Sequence, residues 1–274
     1  MGRFGWRPFF IGLGFGSFLW LIPWFRWMPR GHSTEPVHTD HSHIGILEVL
    51  RQRSAWGTCV ANFCVNWPLY LLLTWLPFYL VQERHFSLST TAKIGGAAFL
   101  LKALSSITSG WFADTWISKG ASPTLVRKSF VCAGLIISGV LFLISAGTSA
   151  STPSVVLLLG GTACFGLSSP HGPAIIQTLA GQELAGTWTG LVYFVANFAG
   201  IVAPVATGFV VDRSGHFFWA FALAAGIAWI GAAAYLWIVG PIKQVVWGEQ
   251  SPCLSAPGQV VSERASKATK RSGG

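Results

Sequence analysis

Gly110-Trp-Phe-Ala-Asp-Thr-Trp-Ile-Ser-Lys-Gly120 is the stretch in which a long apolar run meets its first charged loop. Asp114 and Lys119 stand beside the end of a membrane-length segment, so their charges can stay at the polar end of a helix without entering hydrocarbon. Gly110 has no side chain and lets a neighbouring helix approach closely. The stretch therefore predicts the end of a transmembrane helix that packs against others.

The composition extends this prediction to the whole chain. Of the 274 residues, 52% are hydrophobic and 10% are charged, whereas soluble proteins carry about 25% charged residues. The sequence has no Ser-His-Asp arrangement, no Gly-rich phosphate loop and no metal-ligand set. We predict a membrane protein that is not an enzyme and has no catalytic residue, metal or cofactor.

Seven apolar segments have about the length that crosses ~30 Å of hydrocarbon. They are Pro8–Phe25, Trp56–Val81, Ile94–Phe112, Phe130–Ala146, Val155–Leu179, Gly190–Val211 and Phe217–Val239. The prediction is an all-α membrane protein with seven transmembrane helices. Its parts are a first helix (residues 1–27), a cytoplasmic linker (28–53), a six-helix bundle (54–246) and a disordered cytoplasmic tail (247–274).

The distribution of basic residues predicts the orientation. With the N-terminus outside, 12 of the 18 Lys and Arg residues lie on the cytoplasmic side and 5 on the outer side, and Lys102 lies within a span. This obeys the positive-inside rule, so the C-terminus is predicted in the cytoplasm. The net charge of +9 is scattered over short loops and a tail, which favours a lipid bilayer as the partner and excludes nucleic acid.

Two polar stripes interrupt the apolar helices. Asn62, Asn66 and Tyr70 repeat every four residues in the second span, and Tyr193 and Asn197 share a face of the sixth. These five residues are candidates to bind the hydroxyl groups of a substrate. The alternative is hydrogen bonding between helices, which is common for Asn in membranes.

Lys102 and His171 are the ionisable candidates inside spans. A lysine in mid-membrane costs roughly 2.5–3.5 kcal/mol, so we expect Lys102 to face the bundle with a polar partner. It could attract an anionic substrate or be purely structural. His171 lies between Pro170 and Pro173, where a broken helix can line a site; the alternative is an interior histidine.

The linker contains a group of histidines, His32, His38, His41 and His43. Imidazoles at such spacing could collect zinc or nickel. The group has no cysteine partner and no regular spacing, so a solvated linker between helical bundles is the favoured interpretation.

Several segments resemble one transporter family in the correct order. Leu73–Ser87 is similar to the seventh helix and following loop of the anion:cation symporter family of the major facilitator superfamily, especially its glucarate, galactarate and galactonate transporters. Gly5–Arg7 resembles the entry to helix six, Ala196–Pro204 helix eleven, and Val239–Lys243 the end of helix twelve. The Gly-x3-Asp-x4-Lys spacing from Gly110 to Lys119 resembles the loop motif of the superfamily.

The resemblance implies a proton-coupled symporter for organic anions such as aldarates, hexonates or hexuronates, located in the cell inner membrane. Members have twelve helices in two halves, so this chain corresponds to helices six to twelve. The expected partners are a small organic anion, a proton and the missing N-terminal half. Gly110, Asp114 and Lys119 would form a conformational latch.

Two alternatives to a transporter portion stay open. The first is a non-transporting fragment, since all nine acidic residues lie in loops, tails or span ends and none can exchange protons inside the membrane. The second is a seven-helix receptor-like membrane protein. A retinal protein would carry its lysine in the last helix, and Phe217–Val239 contains none.

Overall fold

The computed structural model describes residues 7–28, 46–245 and 247, and the chain divides into two units, residues 1–43 and 44–274. The described part of the first unit consists of α1 (Arg7–Phe18) and α2 (Leu21–Trp27). Neither helix contains a buried residue. The continuous stretch Arg7–Trp27, 21 residues with the turn between the two helices included, is long and apolar enough to cross a membrane.

All regular structure in the described part of the second unit is helical. A short helix, α3, precedes seven longer ones, and the last of these ends in a π-helical turn. The bounds are α3 Ile46–Arg51, α4 Arg53–Gln82, α5 Leu88–Ser118, α6 Pro123–Gly147, α7 Ser151–Ser168, α8 His171–Asn197, α9 Ala199–Ser214, α10 Phe218–Ala233 and the π-turn Ala234–Ile238.

Each of the seven predicted spans lies in a helical segment, which confirms the all-α membrane architecture. By length and composition, five stretches of the described residues could cross a membrane, and one of them, Ser151–Ser214, is 64 residues long. That stretch contains the fifth and sixth predicted spans. Helix α5, which carries Lys93, Lys102 and Asp114, is not among the five.

Gly181 divides the long stretch into two membrane-length parts, and each part has one further interruption, at Ser169–Pro170 between α7 and α8 and at Phe198 between α8 and α9. Within α8 the backbone leaves the helical region at Gly181 (φ 67°, ψ −176°), a left-handed φ that glycine adopts without a Cβ clash. Gly181 therefore separates two successive membrane crossings, and Phe198 interrupts the second of them.

Helix α4 lies at the centre of the packing. It contacts α8, α9 and α10, while α6 packs on α7 and α10, and α5 packs on α7. Aromatic residues such as Tyr79 and Phe221 fill one buried cluster, and Trp188 and Tyr235 belong to a second. This arrangement brings the polar stripe of α4 opposite the broken segment α8–α9.

Two sequence predictions fall largely outside the described residues. The four histidines of the linker and the tail from residue 248 onward lie there. At the end of the linker the structure has α3, in which Val49 is fully buried. Among the described residues, no group of three or more His, Cys, Asp or Glu side chains could hold a metal ion.

Candidate functional site: a polar face at a helix break

At Phe198 the α-helical hydrogen-bond pattern is interrupted inside a membrane-length segment, while the residue keeps right-handed helical torsions (φ −59°, ψ −25°). The N–H of Phe198 donates three residues back to the carbonyl of Val195 at 3.2 Å, and regular helix resumes when Val202 donates to the carbonyl of Phe198 at 3.0 Å. Interrupted helices within membranes are tolerated where they are covered by protein or line a polar cavity. The side chains around this break are therefore candidates for a binding site.

The structure joins the two predicted stripes at this break. Asn66 of α4 donates through Nδ2 to the carbonyl of Ala196 at 3.2 Å. The hydroxyl of Tyr70 donates to Oδ1 of Asn197 at 2.8 Å, and Nδ2 of Asn197 donates to the carbonyl of Tyr193 at 2.8 Å. We call Asn66, Tyr70, Tyr193 and Asn197 the polar face.

The polar face is only partly covered. Tyr193 is 39% exposed and Asn197 is exposed, whereas Asn66 and Tyr70 are half-buried. A Cβ on Gly200 would lie 2.8 Å from the Tyr70 ring. Glycine at this position thus allows the ring to lie flat against α9 with its hydroxyl at the break.

Asn62, the third member of the α4 stripe, has a different environment. It is 7% exposed, and its Nδ2 donates to the carbonyl of Thr58 at 2.9 Å and to the hydroxyl of Tyr235 at 3.1 Å. Both amide hydrogens are used within the bundle. This geometry agrees with the alternative of hydrogen bonding between helices, and substrate contact by Asn62 stays a prediction.

Lys102 lies apart from the polar face. Its side chain is half-buried, and Nζ lies 5.5 Å from the centroid of the Phe165 ring on α7. Its ammonium has no hydrogen bond or ion pair among the described residues. The expected polar partner is therefore replaced by an aromatic face, which attracts a cation through its quadrupole and leaves the N–H groups free to bind an anion.

His171 is the most enclosed of the predicted site residues. It is 2% exposed, and its ring stacks on Phe130 of α6 with centroids 5.1 Å apart. Nε2 is buried and has no hydrogen-bond partner within the described part of the chain. The structure thus places His171 in the α6–α8 interface, apart from Tyr70 and Asn197.

The predicted latch contains a partner that the sequence did not indicate. Asp114 pairs with Arg127 of α6 at 3.9 Å, and the side chains are 77% and 20% exposed. Gly110 lies against Pro170, and Lys119 lies exposed at the end of α5. Arg127 is near the start of α6, and only the folded loop brings it to Asp114.

Arg84 is a second residue whose role the sequence did not reveal. It is 9% exposed and donates to the hydroxyl of Tyr79 at 2.7 Å. Further N–H groups donate to the carbonyls of Thr148 at 2.6 Å and Ser145 at 2.9 Å. Positive charge is favourable at a helix C-terminus, so Arg84 ties the end of α4 to the end of α6.

Most of the chain matches one protein family. Residues 1–204 of the chain match the model of the Major Facilitator Superfamily. The chain belongs to this superfamily. This superfamily member is accordingly a multi-pass membrane protein, as its apolar helices also indicate.

Named relatives are transporters. The hexuronate transporter of Bacillus subtilis (strain 168) is 28% identical over 249 residues, which cover 87% of this chain and 59% of the relative. A protein of the same organism named "Probable galactarate/D-glucarate transporter GudP" is 28% identical over 93% of this chain and 61% of its own length. The superfamily member described here spans about 60% of the length of these two relatives.

The fold agrees with the family. A crystal structure of a POT family transporter in complex with 5-aminolevulinic acid superimposes with a TM-score of 0.57 at 16% identity, covering 80% of this chain and 46% of the neighbour. At this identity the likeness concerns the fold alone. The relatives and the neighbour are transporters rather than enzymes, in line with the sequence prediction.

Proposed function

We propose that the chain is the C-terminal portion of a secondary transporter for organic anions of the sugar-acid class, coupled to protons. Its bundle would rock against a second six-helix half, and the substrate would bind between the halves. The names of the relatives in Bacillus subtilis, which refer to hexuronate and to galactarate or D-glucarate, support this class of substrate.

The observation that carries the proposal is the Tyr70–Asn197 pair at the α8–α9 break. Its hydroxyl and amide groups remain partly exposed within a membrane-length segment. Polar groups facing lipid would be costly, so such a face lies on a cavity or against another protein surface. Hydroxyl and amide groups are suited to hydrogen-bond the hydroxyls of a sugar acid.

Lys102 adds the positive charge that an anion requires. Because its ammonium makes no hydrogen bond among the described residues, a carboxylate could bind it without displacing an existing partner. The second half would contribute the remaining anion-binding groups and the proton-exchanging carboxylate. Within the described spans of this chain, acidic residues lie near helix ends or, in the case of Glu183, beside the Gly181 break.

The experiment is uptake by the full chain co-reconstituted with the N-terminal part of the Bacillus subtilis hexuronate transporter that precedes its sixth helix, because this chain is proposed to supply that helix itself. We expect an inward proton gradient to drive accumulation of labelled hexuronate, galactarate or glucarate. Asn197→Ala should raise the apparent KM about tenfold, because it removes the partner of Tyr70 and a group facing the substrate.

The matched control is Thr178→Ala in the same helix, because the Thr178 hydroxyl is exposed and donates only to Ala174 of its own helix. Its KM should be unchanged. Uptake that is indifferent to the proton gradient, or equal KM changes for the two variants, would contradict the proposal.

A further inference from the structure

The segment after the last helix crosses the end of the bundle at the Gly181 break. Residues 241–245 and 247 have no regular secondary structure, yet they make specific hydrogen bonds. We call residues 241–245 and 247 the strap. Its contacts concentrate on the two carbonyls that precede Gly181.

The strap replaces hydrogen bonds that the break removes. A helix end leaves its last carbonyls without intrahelical partners, and here these include the carbonyls of Leu179 and Ala180. The backbone N–H of Val245 donates to the carbonyl of Leu179 at 2.9 Å. The indole N–H of Trp247 donates to the carbonyl of Ala180 at 2.8 Å. Both carbonyls are thus satisfied by the strap.

Two further contacts anchor the strap to other helices. The backbone N–H of Ile242 donates to Oγ1 of Thr124 on α6 at 3.0 Å. The ring of Trp247 packs edge-to-face on Trp188 with centroids 5.8 Å apart. Trp188 is fully buried and donates to the hydroxyl of Thr58 on α4 at 3.0 Å. The strap therefore connects α6, α8 and, through Trp188, α4.

The absence of a side chain at Gly181 leaves room for the strap. A Cβ at this position would collide with the side-chain amide of Gln244. The contacts are hydrogen bonds and aromatic packing, without an ion pair among the described residues of the strap. In this respect the strap differs from the exposed Asp114–Arg127 pair, which salt would screen.

We propose that the strap is a releasable lock on the turn at Gly181, where one membrane crossing ends within α8 and the next begins. When docked, it satisfies the free carbonyls and fixes the turn to α6 and the core. When released, it exposes these carbonyls and lets the two crossings change their relative position. The transport step that this motion would serve rests on the proposed function, but the lock itself does not.

Amide hydrogen exchange of the full chain in nanodiscs tests the lock without any transport. In Trp247→Ala, the Val245 amide and the amides around Gly181 should exchange about tenfold faster, because a hydrogen bond and an aromatic pair are lost. Trp247→Phe keeps an aromatic ring but loses the indole N–H, so we expect the exchange rate of the same amides to rise roughly threefold.

The matched control is Trp237→Ala, because the Trp237 side chain is 73% exposed in the adjacent π-turn. It should leave exchange at Val245 and Gly181 unchanged. Unchanged exchange in Trp247→Ala, equal acceleration in the control, or acceleration spread over all helices would overturn the lock. Failure of hexuronate uptake with normal exchange results would instead refute only the proposed function.

Discussion

Two cations of the same bundle, Arg84 and Lys102, lie in opposite surroundings. Arg84 is 9% exposed and its guanidinium is surrounded by the Tyr79 hydroxyl and backbone carbonyls. Lys102 is half-buried and contacts the face of one aromatic ring. A cation whose donors are already bonded acts as structural support, whereas one with free donors retains the capacity to bind an anion.

The first prediction concerns Arg84, the structural member of this pair, and has the largest expected effect. Arg84→Met removes the donors that bind the Tyr79 hydroxyl and tie α4 to the carbonyls of Thr148 and Ser145 at the end of α6. We expect the free energy of unfolding to fall by about 3 kcal/mol, measured by denaturant titration in detergent.

Arg213→Met is the control for this change, since Arg213 is exposed and lies 4.5 Å over the Phe209 ring. Its effect should stay within about 0.5 kcal/mol. Equal losses for the two variants would show that Arg84 is not a structural clamp.

The second prediction concerns Lys102, which should matter for binding and not for folding. Lys102→Met in the co-reconstituted carrier should weaken the apparent affinity for a sugar acid about tenfold, or about 1.4 kcal/mol. The free energy of unfolding should stay the same or rise, because a lysine inside the membrane is unfavourable.

Lys93→Met provides the comparison on the same helix, because Lys93 is exposed near the start of α5. Uptake measured over a range of substrate concentrations distinguishes the two. Normal affinity in Lys102→Met would give that residue the structural role that the sequence left open.

The third prediction compares two tyrosines of α4. Tyr79→Phe removes a buried hydroxyl bonded to Arg84 and to Ser154, so stability should fall by about 1 kcal/mol. Tyr70→Phe removes a hydroxyl on the open polar face, and its stability loss should be about 0.5 kcal/mol or less. Thermal unfolding monitored by tryptophan fluorescence measures both, and a reversed order would refute the assignment of the buried and open regions.

The smallest effect is expected for the latch. The Asp114–Arg127 pair is 3.9 Å long and Asp114 is 77% exposed, and exposed pairs contribute little to stability. Asp114→Asn should change the free energy of unfolding by less than about 0.5 kcal/mol in a denaturant titration. A loss above 1 kcal/mol would mean that the pair holds the isolated bundle together.

The membrane architecture was predictable because span length and apolar composition are local properties of the chain. The stripe of Asn66 and Tyr70 was predictable for the same reason, since residues four apart share a helix face. The family resemblance added the superfamily, which the match over residues 1–204 confirms.

The pairings between distant helices were not predictable from local patterns. Nothing near Arg84 in the sequence indicates that its partners are carbonyls more than 60 residues away. Arg127 and Trp247 are similar cases, because their roles depend on a loop or a helix break that only the folded chain creates. Spacing likewise grouped Asn62 with Tyr70, although Asn62 is committed to Thr58 and Tyr235.

The central claim is that this chain transports sugar acids only together with the N-terminal helices of such a transporter. The most direct measurement is hexuronate accumulation in proteoliposomes containing the full chain alone or with the N-terminal part of the Bacillus subtilis hexuronate transporter that precedes its sixth helix. We predict concentrative, proton-driven uptake only when both are present. Equal accumulation by the chain alone would contradict the claim.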